Sequence, residues 1–141
     1  MSKLKVGIIG TGGISRFHTE SYQALDNVEV VACCDIDGEK VKAYAEKYSI
    51  PHYYTDCNEM MKKEKLDLVS VTTWNEAHCK CSIAALRGGA HVICEKPMAM
   101  NSERTFLWLP ILKLSWLLQL AEPPCISNRG FAFIVSPFAA E

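Results

Sequence analysis

Short, nearly unbroken apolar runs alternate with stretches of helical period along the first hundred residues, and most runs open into a turn. Residues 3–9 form the first run, rich in β-branched side chains and fit for a strand buried on both faces. A helix is expected over residues 13–25. Residues 28–34 repeat the buried-strand pattern and deliver Asp35 at their end. Asp37 is then placed to cap a helix reaching residue 48, with Val41, Ala45 and Tyr48 at helical spacing. Residues 52–54 read as a short third strand, and Thr55 or Asp56 caps a short helix through Met60 and Met61. Residues 66–72 give a fourth strand and residues 76–87 a helix. Gly88 and Gly89 end that helix by taking left-handed conformations free of a Cβ penalty, and residues 90–94 give a fifth strand. Strands alternating with helices at this spacing predict βαβ crossovers. The expected fold class is α/β, a doubly wound parallel sheet covered on both faces.

Past Arg104 the pattern changes. Residues 106–121 are apolar nearly all round, interrupted by Pro110, Lys113, Ser115 and Gln119. A helix covering a sheet shows one apolar stripe, and a proline breaks a helix interior. The run is short for a membrane span and carries a lysine, so no membrane insertion is expected. Glu122-Pro123-Pro124 breaks the chain, and residues 131–135 read as one more short strand. The expected organisation is a domain over residues 1–103 and a divergent apolar tail over 104–141, which either completes the sheet or is poorly ordered.

Composition narrows the picture only a little. The 141 residues, 49% hydrophobic and 22% charged, suffice for one domain with a core. A net charge of -1 gives no electrostatic case for a nucleic-acid partner. The first residues lack the pattern of a signal peptide, so a cytoplasmic location is expected. Seven cysteines occur, none in a Cys-x-x-Cys pair; His78, Cys79 and Cys81 are the nearest approach to a metal site. Reduced, buried thiols and no metal are expected.

Candidate chemistry begins at Gly10-Thr11-Gly12-Gly13-Ile14-Ser15, between the first strand and the first helix. A pyrophosphate needs backbone N–H groups, close approach and the positive end of a helix dipole. Gly10 permits the tight turn, Gly12 removes the side chain that would block a phosphate, and Ser15 fills the small-residue position. Asp35 follows Gly12 by 23 residues, where a carboxylate accepts hydrogen bonds from an adenosine ribose or, alternatively, caps the next turn. In the first role it repels a 2′-phosphate and favours NAD over NADP. S-adenosylmethionine-dependent methyltransferases share a glycine turn and a following acid, so the discrimination lies further on. Thr73, Trp74, Asn75 and His78 leave the fourth strand at its carboxyl end, the side that lines the ligand crevice of an open sheet. Asn75 also suits a helix cap and His78 a first-turn surface position.

Glu95-Lys96-Pro97 after the fifth strand completes the set. In this order and spacing the motifs resemble the glucose–fructose oxidoreductase/inositol dehydrogenase/MocA (Gfo/Idh/MocA) family of NAD(P)-dependent oxidoreductases. Gly10 and Gly12 match its glycine turn. Thr73, Asn75 and His78 match its Thr-Pro-Asn-x-x-His segment, with Trp74 in place of proline; Glu95, Lys96 and Pro97 match its Glu-Lys-Pro motif. The resemblance runs over about residues 3–103 and implies a Rossmann NAD(P)-binding domain. It implies that Gly10, Thr11, Gly12, Gly13, Ile14, Asp35, Thr73, Trp74, Asn75, His78, Glu95, Lys96 and Pro97 bind the cofactor. Lys96 is then the catalytic residue, near the nicotinamide and the substrate hydroxyl, Glu95 helps to position the cofactor, and Pro97 allows a cis peptide that aims the lysine. The implied substrate is a sugar, polyol or related CH–OH compound.

The family's second α/β domain, with its catalytic aspartate and histidine, is missing from this sequence. A truncated or alternatively spliced product, or a frame change near Arg104, would account for the tail. The isolated chain is expected to lack turnover; a catalytically silent dinucleotide-binding protein acting through a partner is the alternative. The resemblance leaves substrate identity and oligomeric state open.

Overall fold

Over residues 3–95 each apolar run becomes a strand, and each stretch of helical period a helix beside it. The computed structural model describes residues 2–97, Met100 and the backbone of residues 132–135. In chain order the elements are β1 (Leu4–Ile9), α1 (Ser15–Gln23), β2 (Val28–Cys34), α2 (Gly38–Tyr48) and β3 (His52–Tyr54). They continue with α3 (Cys57–Lys63), β4 (Leu68–Val71), α4 (Asn75–Arg87), β5 (His91–Glu95) and β6 (Ala132–Val135). The apolar run 106–121 and Cys125 lie outside the described residues.

The strand order is β3-β2-β1-β4-β5-β6. β1 to β5 pair in parallel, and β6 closes the edge antiparallel to β5, with Ile93 opposite Ile134. Five parallel strands in this order confirm the doubly wound Rossmann sheet. β6 adds the short strand expected over residues 131–135, in the opposite sense.

Two apolar layers sandwich the sheet. Val6, Ile8, Val30 and Cys33 pack with Val41, Tyr44 and Ala45 of α2 on one face. Ile9, Val69, Val71, Val92 and Cys94 pack with Met60 and Met61 of α3 and Ala85 and Leu86 of α4 on the other. Each fully buried Val, Ile or Met contributes about 1.5–3 kcal/mol relative to exposure, which is what holds unbroken apolar runs in the sheet's interior.

β2 does not alternate cleanly. Val6 pairs with Val30, but Gly7 pairs with Ala32, leaving Val31 as one extra residue. Val31 and Ala32 consequently both face the α3–α4 layer, and the alternation resumes with Cys33 toward α2 and Cys34 toward α3 and α4.

The helix ends follow the expected chemistry with three refinements. Asp37 caps α2 by accepting from the Lys40 N–H at 3.1 Å, and Asp56, not Thr55, caps α3 by accepting from the Asn58 N–H at 2.7 Å. α2 buries Val41, Tyr44 and Ala45, with Tyr48 only partly covered. Of the glycine pair ending α4, Gly89 alone takes a positive φ, +88°. Among the described residues no helix is long and apolar enough to cross a membrane.

Candidate functional site

The carboxyl ends of β1 and β4 meet at the crevice between the two helical layers, and Gly10 sits at their junction. Its φ is +92°, and a Cβ there would stand 2.6 Å from the Thr73 nitrogen and 2.7 Å from the Thr72 carbonyl carbon and oxygen. Thr72 ties the two strand ends together, its hydroxyl donating to the Gly10 carbonyl at 2.7 Å. Gly12 and Gly13 are different: nothing lies within 4 Å of a Cβ built on either. The backbone there faces open space, as a phosphate cradle requires. Ser15 is fully buried and its hydroxyl donates to the Gly12 carbonyl at 2.6 Å, so the small-residue position also fastens the turn.

A cavity of about 300 Å³ opens behind this turn. Gly10, Gly12, Gly13, Ile14, Asp35, Thr73 and Trp74 line it. Thr11 stands just behind them, buried and bonded to Asp35. Lys40 and Ile36, which the sequence reading passed over, line it too. Ile36 and Trp74 are exposed at 91% and 83%, an unfavourable display of apolar surface unless a ligand covers it.

Asp35 is the electrostatic centre of this pocket. Its Oδ2 accepts from the Thr11 N–H and hydroxyl, both at 2.8 Å, and from the Lys40 ammonium at 3.2 Å. Among the described residues Oδ1 accepts only from the Asp37 N–H, at 3.2 Å, and so keeps a lone pair for a ligand hydroxyl. Burial pulls the Asp35 pKa up, but the Thr11 and Asp37 N–H groups, the Thr11 hydroxyl and Lys40 together hold it below the ordinary aspartate value. A folded-state pKa below the unfolded one adds stability that is complete above about pH 4 and is lost as pH falls through the folded value. Urea midpoints measured from about pH 6 to pH 3 should therefore fall toward acid less steeply in Asp35→Asn than in wild type. Equal slopes would remove Asp35 from the pH dependence.

The second cluster lies at the end of β5, three strands from β2 and hence about 14 Å across the sheet. Two histidines hold it. His18 of α1 bonds Ser70 Oγ through Nδ1 at 2.6 Å and Glu95 Oε1 through Nε2 at 2.8 Å. His78 is 1% exposed; its Nδ1 faces the Pro97 carbonyl at 2.7 Å and its Nε2 the Thr73 carbonyl at 3.0 Å. A neutral ring donates to one of these carbonyls at a time. Lys96 thus sits between two anchored neighbours with its own side chain exposed, and the Lys96–Pro97 peptide is cis. Asn75 is exposed as the first residue of α4. His78 is no surface residue but a clamp joining the end of β4 to the loop after β5.

The arrangement separates the predicted residues into two groups. The glycine turn, Asp35, Thr73 and Trp74 share one cavity, whereas Glu95, Lys96 and Pro97 stand beside it, joined to it through His78. His18 carried a signal that the sequence reading did not use. Ser15, His18, Thr19 and Tyr22 occupy i, i+3, i+4 and i+7, the stripe where a sheet-covering helix normally shows apolar residues.

Known proteins share this fold over most of the chain. The oxidoreductase family with an NAD-binding Rossmann fold matches residues 4–109. The D-glucoside 3-dehydrogenase of Escherichia coli is 38% identical over 104 residues, covering 73% of this chain and 30% of that protein. The D-apiose dehydrogenase of Paraburkholderia graminis is 33% identical over 101 residues, 72% of this chain and 27% of that protein. Among solved structures, the WlbA dehydrogenase of Bordetella pertussis, in complex with NADH and UDP-GlcNAcA, is similar with a TM-score of 0.71 at 27% identity. That likeness covers 77% of this chain and 34% of the other. The chain spans less than a third of the length of the curated relatives it matches.

Proposed function

This chain belongs to the Gfo/Idh/MocA oxidoreductase family, with its NAD-binding Rossmann fold, and on that premise we propose that it binds NAD in the cavity behind the glycine turn. The observation that carries the reading is that cavity itself, which joins Gly12, Asp35 and Thr73 at the carboxyl ends of three neighbouring strands. In this proposal residues 1–103 are the nucleotide-binding domain and residues 104–141 a divergent tail. Gly10 to Ile14 hold the pyrophosphate, and Oδ1 of Asp35 accepts a ribose hydroxyl. Thr73, Trp74 and Asn75 contact the dinucleotide beyond the pyrophosphate, while His78 acts through the Thr73 and Pro97 carbonyls that it holds.

When bound, the nicotinamide supplies the hydride-accepting ring. The role proposed for Lys96 is to hydrogen-bond the hydroxyl of a sugar or polyol and to stabilise the negative charge that develops on that oxygen. Glu95, steadied by His18, and Pro97, steadied by His78, keep the lysine in register. Turnover also requires several groups that together hold the substrate against the ring, and of the residues assigned here Lys96 alone touches it. The chain by itself is therefore expected to bind cofactor without converting a panel of polyols; conversion of any of them would overturn that part.

NAD is preferred to NADP in this reading because the Asp35 carboxylate repels a 2′-phosphate, but Lys40 at 3.2 Å offsets part of that repulsion. Titrations followed by nicotinamide fluorescence test both residues. Asp35→Ala should weaken NADH binding by about tenfold or more, the loss of a hydrogen bond to a charged group. Lys40→Ala should weaken NADPH more than NADH and so widen the preference. Tighter binding of NADPH than NADH by the wild type would sink the assignment.

A further inference from the structure

Three cysteines face the nucleotide cavity and have no part in the contacts proposed above. Cys34 ends β2, Cys57 opens α3 and Cys81 lies in the middle of α4, and all three line the space of about 300 Å³. None is in a disulfide. α3 packs on α4, so Cys57 and Cys81 face the same cavity from two adjoining helices. Two thiols on packed helices, in the wall of one open cavity, need only a two-electron oxidant small enough to enter.

We propose that Cys57 and Cys81 form a modification site at which a hydroperoxide joins the two sulfurs in a disulfide, and that a nucleotide in the cavity shields them. The shielding rests on the NAD reading above; the disulfide does not. The Cys57 thiolate attacks the peroxide O–O bond, taking one oxygen as a sulfenic acid while the other leaves as an alcohol or water. The Cys81 sulfur then displaces the sulfenic hydroxyl, which departs as water with the Cys81 proton. Two thiols lose two protons and two electrons, and the hydroperoxide is reduced by the same two electrons and two protons.

The surroundings select this pair. The hydrogen bond from Cys81 lowers the Cys57 pKa, against burial and the charge of Asp56 and with help from Lys80. Cys57 is thereby favoured as the thiolate of the pair, the nucleophilic form. Its partner Cys81 is pushed up by that same hydrogen bond and by burial. Burial raises Cys33 and Cys34 to about 12 and Cys94 to about 11, which leaves them unreactive.

Peptide mapping of the whole chain after hydrogen peroxide treatment tests the proposal. Trypsin places Cys33 and Cys34 in residues 17–40, Cys57 in 48–62, Cys79 in 66–80 and Cys81 in 81–87, so each pairing between these peptides gives a different linked mass. The expected product links 48–62 to 81–87 and is reversed by a dithiol. A main product linking 17–40 or 66–80, or over-oxidised Cys57 without a link, would overturn it. Cys81→Ser should stop at a Cys57 sulfenic acid captured by dimedone, and the wild-type map decides the site even if that variant is unstable. Saturating NAD should slow linkage by about tenfold or more. Equal rates in a chain that binds NADH would overturn the shielding. A chain that forms the link but binds no NADH retires the cofactor reading and upholds the disulfide.

Discussion

Gly10→Ala is expected to destabilise the folded chain by at least about 3 kcal/mol, measured as the shift in urea unfolding. A left-handed conformation costs a residue with a side chain about 1–3 kcal/mol even where space is available. Here there is none. The new methyl would lie 2.6–2.7 Å from the Thr72–Thr73 backbone, and backbone cannot rotate away as a side-chain tip can. Relief requires β1 and β4 to part at their carboxyl ends, which strains the Thr72–Gly10 hydrogen bond at 2.7 Å and the Gly10 N–H bond to the Cys34 carbonyl at 2.7 Å. Domains have about 5–15 kcal/mol to lose, so the variant should sit close to unfolding at room temperature. A loss below about 1 kcal/mol would show that the strand ends yield more easily than their hydrogen bonds imply.

Two residues along, Gly12→Ala should do the reverse. Nothing within 4 Å opposes its Cβ, and no positive φ penalises it, so stability should change by less than about 1 kcal/mol. Binding should suffer instead. The methyl would stand in the open space assigned to the pyrophosphate and push it off the backbone N–H groups. Losing one charge-assisted hydrogen bond costs about 1.5–3 kcal/mol, or roughly tenfold to a hundredfold in NADH affinity. Unaltered NADH binding by a well-folded Gly12→Ala protein would move the pyrophosphate elsewhere. The two glycines thus separate needs that the fingerprint blends, one of the fold and one of the ligand.

Much of this was legible in the sequence because it is local. The strand runs, the caps at Asp37 and Asp56 and the glycine turn depend on neighbours within a few residues. The motif order also pointed to the family. What stayed hidden depends on partners far along the chain. His18 reaches Ser70 and Glu95, 52 and 77 residues away, and only the fold brings them together. Tyr44 and Tyr48 lie on the same helix face, and periodicity alone does not choose between them. Tyr44 is the more buried because Thr19 of α1 meets its hydroxyl at 2.8 Å, which satisfies the polar end of a covered ring. Lys40 gave no sign beyond being a lysine in the first turn of α2. Its effect on cofactor preference emerges only from its distance to Asp35.

The extra residue in β2 has a consequence for how this strand tolerates change in length. Side chains along a strand switch sides at every step except at this bulge, where Val31 and Ala32 share a face. Losing one residue there would erase the bulge, restore plain alternation and leave Glu29 and the Asp35 carboxylate facing as before. Losing two would exchange the outlook of everything upstream or downstream, burying Glu29 or turning the Asp35 carboxylate from Thr11. Other insertions and deletions should be absorbed in the turn between α1 and β2, where no parity is kept. Within β2, one residue is spare and a second is not.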